Sequence, residues 1–204
     1  MFQVQPRPSF GPRSLGHESR AVNPARPHAA RGLARRPAML PEPADALPDL
    51  PAPGESLHLL LDRRWQMAAV IASNCRHRGP VAHLRLASLS IGTQQVRTLA
   101  ELADAGTVKK ISLVLSDYFE RMNAPVTAAV RSEFAARGFR LAFPACHAKV
   151  SCFEFADGST FCIEGSANLR ASKNFEQIAV VNDRGLHDFH AGWIDTVIDQ
   201  YAQA

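Results

Sequence analysis

A chain of 204 residues, 46% hydrophobic and 21% charged, supports one globular domain of moderate size and excludes a fibrous or wholly disordered protein. No run reaches the roughly 20 apolar residues of a membrane-spanning helix, and no apolar stretch of a secretory signal opens the chain, so a cytoplasmic protein is expected. Of the net charge of +4, residues 1–37 hold +6, from seven Arg against the single acid Glu18, which leaves −2 on the remainder and excludes a uniformly basic folded surface.

Residues 1–54 are rich in Pro, Arg, Gly and Ser and lack apolar periodicity, so they cannot bury enough surface to offset the entropy of ordering them. They are expected to form a disordered tail and a proline-spaced linker. The Arg content also matches an organellar transit peptide, although the prolines oppose an amphipathic helix, and translation starting at Met39 is the other reading. A single domain is expected over residues 55–204.

Within it, residues 56–73 carry Leu60, Leu61, Trp65, Ala68, Val70 and Ile71 at mostly helical spacing, which predicts a helix. Residues 81–91 alternate as a strand, and residues 94–105 place Val96, Leu99 and Ala103 on one helical face before Gly106 stops it. Residues 110–116 predict a second strand, followed by Tyr118, Phe119 and Arg121 in what reads as a packed loop rather than a base- or headgroup-binding one. Pro125 opens a helix that Gly138 stops. Residues 139–143 lead into a hairpin, with strands over 150–155 and 160–164 and Ala156-Asp157-Gly158-Ser159 as its turn. A strand over 177–181 precedes a last helix striped by Leu186, Phe189, His190, Trp193, Val197 and Tyr201, with His187 at the surface. Strands alternating with helices predict an α/β fold, a mixed and largely parallel sheet covered by helices on both faces.

Three short segments carry the chemistry: Cys146-His147-Ala148-Lys149-Val150, Gly165-Ser166-Ala167-Asn168-Leu169 and Asn174-Phe175-Glu176. Side chains on a strand alternate with period two, so His147 and Lys149 share a side, as do Ser166 and Asn168. The hairpin between the first two segments brings the pairs together. A base or nucleophile beside a cation and neutral donors suits a phosphate, whose anionic oxygens repel an incoming nucleophile until they are neutralised. Taken singly, Lys149 reads as a solvated strand residue, Ser166 and Asn168 as turn residues and Glu176 as a surface acid; the joint spacing favours function.

The arrangement resembles the phospholipase D superfamily, whose signature reads H-x-K-x-x-x-x-D, then G-S-x-N, then a downstream carboxylate, often in N-x-E. His147, Lys149, Gly165, Ser166, Asn168, Asn174 and Glu176 match in order. Glu154 stands where the family places its aspartate, and the stretch from Asn168 to Glu176 is a few residues short. The resemblance implies a phospholipase D-like fold and metal-independent phosphodiester cleavage with no cofactor. One histidine attacks phosphorus, forming a phosphohistidine, and a second protonates the leaving oxygen. Only one copy of the motif is present. His83-Leu84-Arg85 is the nearest second candidate, but no G-S-x-N follows it, and exposed positions on an alternating strand explain it. The resemblance to single-motif bacterial and phage nucleases then implies a homodimer contributing His147 from each subunit. In that picture Lys149 and Asn168 hold the nonbridging oxygens, Ser166 adds a hydrogen bond, Glu176 orients the His147 ring and Glu154 is structural.

The implied substrate is nucleic acid, with the basic tail as an electrostatic tether. A protein that retained the fold and pocket without catalysis, as a nucleic-acid-binding or assembly component, is the alternative. Phospholipid ranks lower, for want of a second motif and an amphipathic docking segment. Cys75, Cys146, Cys152 and Cys162 show no C-x-x-C or zinc-site spacing and read as buried thiols, so no metal is expected.

Overall fold

The computed structural model describes residues 34–40, 50–61 and 67–202. Its strands are β1 (Ala34–Leu40), β2 (Glu55–Leu61), β3 (Val81–Ser88), β4 (Ile111–Leu115), β5 (Arg140–Ala142), β6 (Val150–Phe155), β7 (Thr160–Gly165) and β8 (Glu176–Val181). They form one eight-stranded sheet of order β1-β2-β8-β7-β6-β3-β4-β5. The sheet is mixed: β1/β2, β3/β4 and β4/β5 pair in parallel, and the other neighbours pair antiparallel. The helices are α1 (Met67–Arg78), α2 (Thr93–Asp104), α3 (Asp117–Met122), α4 (Ala124–Ala136) and α5 (Arg184–Ala202).

Period-two alternation splits the core into two layers. Leu84 and Leu86 of β3, Phe153 and Phe155 of β6 and Ile163 of β7 face α1, α2 and α4 through Ile71, Val96, Leu99, Val130 and Phe134. Their sequence neighbours Ala87, Cys152 and Cys162 turn to the opposite face, where Ile194, Val197 and Ile198 of α5 cover them. Every residue of β4 is buried, as a strand covered on both faces requires. The Cys152 and Cys162 thiols lie 3.4 Å apart on directly opposed positions of β6 and β7, both fully buried.

The structure corrects four local expectations. Residues 56–61 form strand β2, not the start of a helix: Leu57, Leu59 and Leu61 are buried while His58 and Leu60 are partly open, and pairing to β8 decides between two periods that a leucine run leaves ambiguous. Helix α1 shares only residues 67–73 with the predicted span and runs on to Arg78, and Trp65 lies outside the described residues. The segment after β4 is helix α3, capped by the Ser116 hydroxyl, which accepts from the Tyr118 amide; Phe119 is buried but Tyr118 is 57% exposed. On α5 the buried stripe is His187, His190, Ala191, Ile194, Val197 and Ile198, and His187, expected at the surface, is only 3% exposed.

Ala34–Leu40, inside the segment read as a tail, is the edge strand β1, a position that tolerates Pro37. Of the rest of the 1–54 segment, 1–33 and 41–49 lie outside the described residues, and 50–54 lead by a turn into β2. Among the described residues no helix is long and apolar enough to cross a membrane.

Candidate active site

Pairing register brings the three motif segments to one end of the central strands, the strand-end edge of the sheet. Ala87 at the end of β3 lies opposite Val150 at the start of β6, Val150 lies opposite Glu164 near the end of β7, and Gly165 lies opposite Ile178 of β8. The ends of three adjacent strands, β6, β7 and β8, thus carry His147 and Lys149, Ser166 to Asn168, and Glu176, with the end of β3 beside them. The Gly165 amide donates to the Lys149 carbonyl at 3.3 Å, tying the first two segments together. Glycine is required there because a Cβ would sit 2.2 Å from the Gln177 carbonyl oxygen and 2.9 Å from the Ile178 Cα.

His147 is exposed, and the Lys149 ammonium donates both to its backbone oxygen at 2.7 Å and to its Nδ1 at 2.9 Å. Ammonium nitrogen has no lone pair, so Nδ1 accepts, and the neutral ring carries its proton on Nε2. Burial lowers the Lys149 pKa from its ordinary value, opposed by the Cys146 and Glu176 charges. Cys146, half-buried beside them, has its thiol pKa raised by burial.

The Ser166 hydroxyl donates to the Glu176 carboxylate and accepts from the Gln177 amide at 3.1 Å. Glu176 is therefore engaged by Ser166, and no hydrogen bond joins it to His147 as the resemblance implied. Asn168 points its carboxamide oxygen at the end of β3, where it accepts from the Leu89 amide at 3.2 Å. Asn174 contributes its backbone amide to the Ser172 hydroxyl at 3.1 Å, and Phe175 next to it is 62% exposed. Helix α3 starts against this edge too, since the Asp117 amide donates to the Pro144 carbonyl at 2.8 Å, three residues before His147. Two residues escaped the sequence reading, Ser88 and Leu89, which hold the Asn168 loop from 80 positions away; nothing local marks them.

Glu154 is elsewhere. It follows Lys149 by five residues on an extended strand, about 16 Å along it, and accepts from Arg85 Nη1 at 2.9 Å. Arg85 Nε donates to Asp195 of α5 at 2.8 Å, so one guanidinium, 13% exposed, ties β6 to the last helix. His83 reaches the Ser112 hydroxyl at 2.9 Å on the same face. The expectation that His83 and Arg85 are exposed is thereby corrected: both are half-buried beneath α5. Burial, followed by the Arg85 charge, pushes the His83 pKa down to about 4. Burial also lowers the pKa of His187, whose Nδ1 meets Asp188 at 2.9 Å while its buried Nε2 has no partner. His190, instead, is held on both nitrogens, at 2.7 Å from Glu164 and accepting from Trp193 Nε1 at 2.9 Å. Among the described residues no group of three or more His, Cys, Asp or Glu side chains is gathered as a metal centre would need.

No protein-family model and no curated protein matches the chain. Solved structures do. The phospholipase D family member Nuc from Salmonella typhimurium superposes with a TM-score of 0.50 at 18% identity, over 64% of this chain and 86% of its own. Polyphosphate kinase from Porphyromonas gingivalis gives a TM-score of 0.50 at 13% identity, over 71% of this chain but only 26% of the kinase. NucT from Helicobacter pylori gives 0.49 at 14% identity, over 71% of this chain and 97% of its own. With one mixed sheet between helical layers and the three segments meeting at one of its edges, the chain has a phospholipase D-like fold.

Proposed function

We propose that the protein is a metal-independent phosphodiesterase acting on nucleic acid, with His147 as nucleophile in a homodimeric site. The observation that carries this reading is the meeting of the H-x-K, G-S-x-N and glutamate segments on three adjacent strand ends, with His147 and Lys149 in contact.

In this reading a phosphodiester oxygen takes the Lys149 ammonium away from Nδ1, leaving that nitrogen free to carry the ring proton. Nε2 then attacks phosphorus with its lone pair, the P–O bond breaks, and the leaving oxygen takes a proton from the protonated His147 of the second subunit. Water attacks the phosphorus of the phosphohistidine, the P–N bond breaks with its electron pair returning to Nε2, and the second ring, now neutral, accepts the water proton. One ring must start neutral and the other protonated, so turnover is expected to follow a bell-shaped pH curve. Exposed Phe175 beside the site offers a face on which a base can stack, which supports nucleic acid over a headgroup. The Arg-rich first 37 residues add charge for a phosphate backbone.

The test is nitrophenol release from bis(p-nitrophenyl) phosphate in EDTA, with molar mass by light scattering. EDTA-resistant turnover by a dimer, abolished in His147→Ala, supports the reading; a monomer without turnover overturns it. A second reading, a non-catalytic nucleic-acid-binding protein, is favoured by one observation: Glu176 pairs with Ser166 and leaves His147 without a carboxylate. Oligonucleotide binding that survives His147→Ala, with no turnover in wild type, would select it. Truncation before Met39 is expected to weaken that binding and flatten its salt dependence.

A further inference from the structure

We infer that Ser88 is a positioning residue that sets Asn168 for phosphate, an inference that rests on the phosphodiesterase reading of the same site. Ser88 ends β3 and is 1% exposed, so its hydroxyl has no access to water and must find its partners within the protein. It finds them in two loops at once. The hydroxyl accepts from the Leu169 amide at 3.0 Å and donates to the Ser90 carbonyl at 2.9 Å, and it touches the Asn168 carboxamide oxygen at 3.4 Å. A hydroxyl has one proton, and the shorter contact to Ser90 takes it, so the Asn168 oxygen is held chiefly by the Leu89 amide at 3.2 Å. The result is a clamp: the β3 end fixes the backbone on one side of Asn168 and its side-chain oxygen on the other.

The clamp dictates which end of the carboxamide is free. A backbone N–H can only donate, so the group facing Leu89 has to be oxygen, and a flipped amide would set donor against donor. The Asn168 Nδ2 is thereby turned away from β3, and it makes no hydrogen bond among the described residues. A neutral N–H pair held at the edge that carries His147 and Lys149 is a donor suited to a nonbridging phosphate oxygen. Ser88 touches no substrate in this scheme; it acts through Asn168. Without its hydroxyl the buried Leu169 amide loses its acceptor, and the loop has reason to move to recover one.

The experiment compares Ser88→Ala, Asn168→Ala and the double variant, by kcat and KM on bis(p-nitrophenyl) phosphate and by the Asn168 side-chain amide signals in 15N NMR, identified by their loss in Asn168→Ala. Roughly tenfold or greater loss of kcat is expected for each single variant, with the double variant no worse than Asn168→Ala. In Ser88→Ala the Asn168 amide signals should move toward free-amide positions and stop responding to inorganic phosphate. Ser88→Thr, which keeps the hydroxyl, should restore part of both. Multiplying losses, or Asn168 signals unchanged in Ser88→Ala, would overturn the inference. Should wild type not turn over, the phosphodiesterase reading fails, while the amide signals still decide whether Ser88 positions Asn168. If Ser88→Ala does not fold, Ser88→Cys carries the same comparison with a weaker acceptor in nearly the same volume.

Discussion

His147-Ala148-Lys149 and His83-Leu84-Arg85 have the same grammar, a histidine and a cation two residues apart on extended backbone, yet the fold gives them opposite environments. The first lies just before a strand, on an open edge, with His147 exposed and, among the described residues, the neighbouring lysine as its side-chain hydrogen-bond partner. The second lies within β3 under α5, where Ser112, Glu154 and Asp195 take up its hydrogen-bonding capacity. Spacing therefore sets which side chains share a face, but position along the strand decides whether that face meets a ligand or a helix. The edge motif has free valence; the inner one is consumed in joining the sheet to α5.

Exchanging the two histidines gives the largest contrast. If His147 is the nucleophile proposed above, nitrophenol release should fall at least about a thousandfold in His147→Ala, while His83→Ala should stay within about twofold of wild type. Equal losses would abolish the distinction between the two motifs. Next in size is Arg85→Ala, which strands the Glu154 and Asp195 carboxylates. Urea unfolding should report a loss of about 2 kcal/mol, less than for a fully buried pair because both acids keep contact with water. Turnover of the folded Arg85→Ala protein should remain.

Acidification sharpens the same contrast. His83 titrates at about 4 in the folded protein and His187 is lowered as well, both by burial, against roughly 6.5 in an unfolded chain. Between these values the unfolded state binds more protons, so stability is present above the unfolded pKa and declines as pH falls from about 6.5 toward 4. Glu154, lowered by its hydrogen bond to Arg85, adds a further loss as pH drops through its folded pKa. Thermal midpoints measured across this range should slope downward, and His83→Asn should flatten part of the slope. The smallest effect belongs to Glu154→Asp, which installs the residue type of the family signature. Stability should drop by less than about 1 kcal/mol, with turnover unchanged, because the carboxylate serves Arg85 and not the edge.

The hairpin of β6 and β7 is legible to within one residue, β7 running on to Gly165, because alternation, an Asp-Gly turn and the flanking motifs all point the same way. Strand β2 was not, since Leu59-Leu60-Leu61 fits either period and only its partner β8, over a hundred residues later, selects one. Helix α3 escaped because six residues with a single buried side chain, Phe119, give no periodic signal. Five candidate residues, His147, Lys149, Ser166, Asn168 and Glu176, were read from motif spacing, and the structure brings their segments to one edge. The partner of Glu176 was not read correctly, because Ser166 reaches it through strand pairing that sequence order does not reveal. Ser88 was invisible for a related reason: its contacts are all that distinguish it from any strand-ending serine.

The order of the sheet also bears on how the site comes into being. Strands β6, β7 and β8 are consecutive in sequence and adjacent in space, so the segment from His147 to Glu176 assembles through short loop closures alone. Ser88 reaches that meander only when β3, some sixty residues earlier in the chain, docks against β6. During folding the candidate site is expected to acquire its outline early and its lock late, so a stopped-flow signal from the hairpin should precede protection of the Leu169 amide from hydrogen exchange.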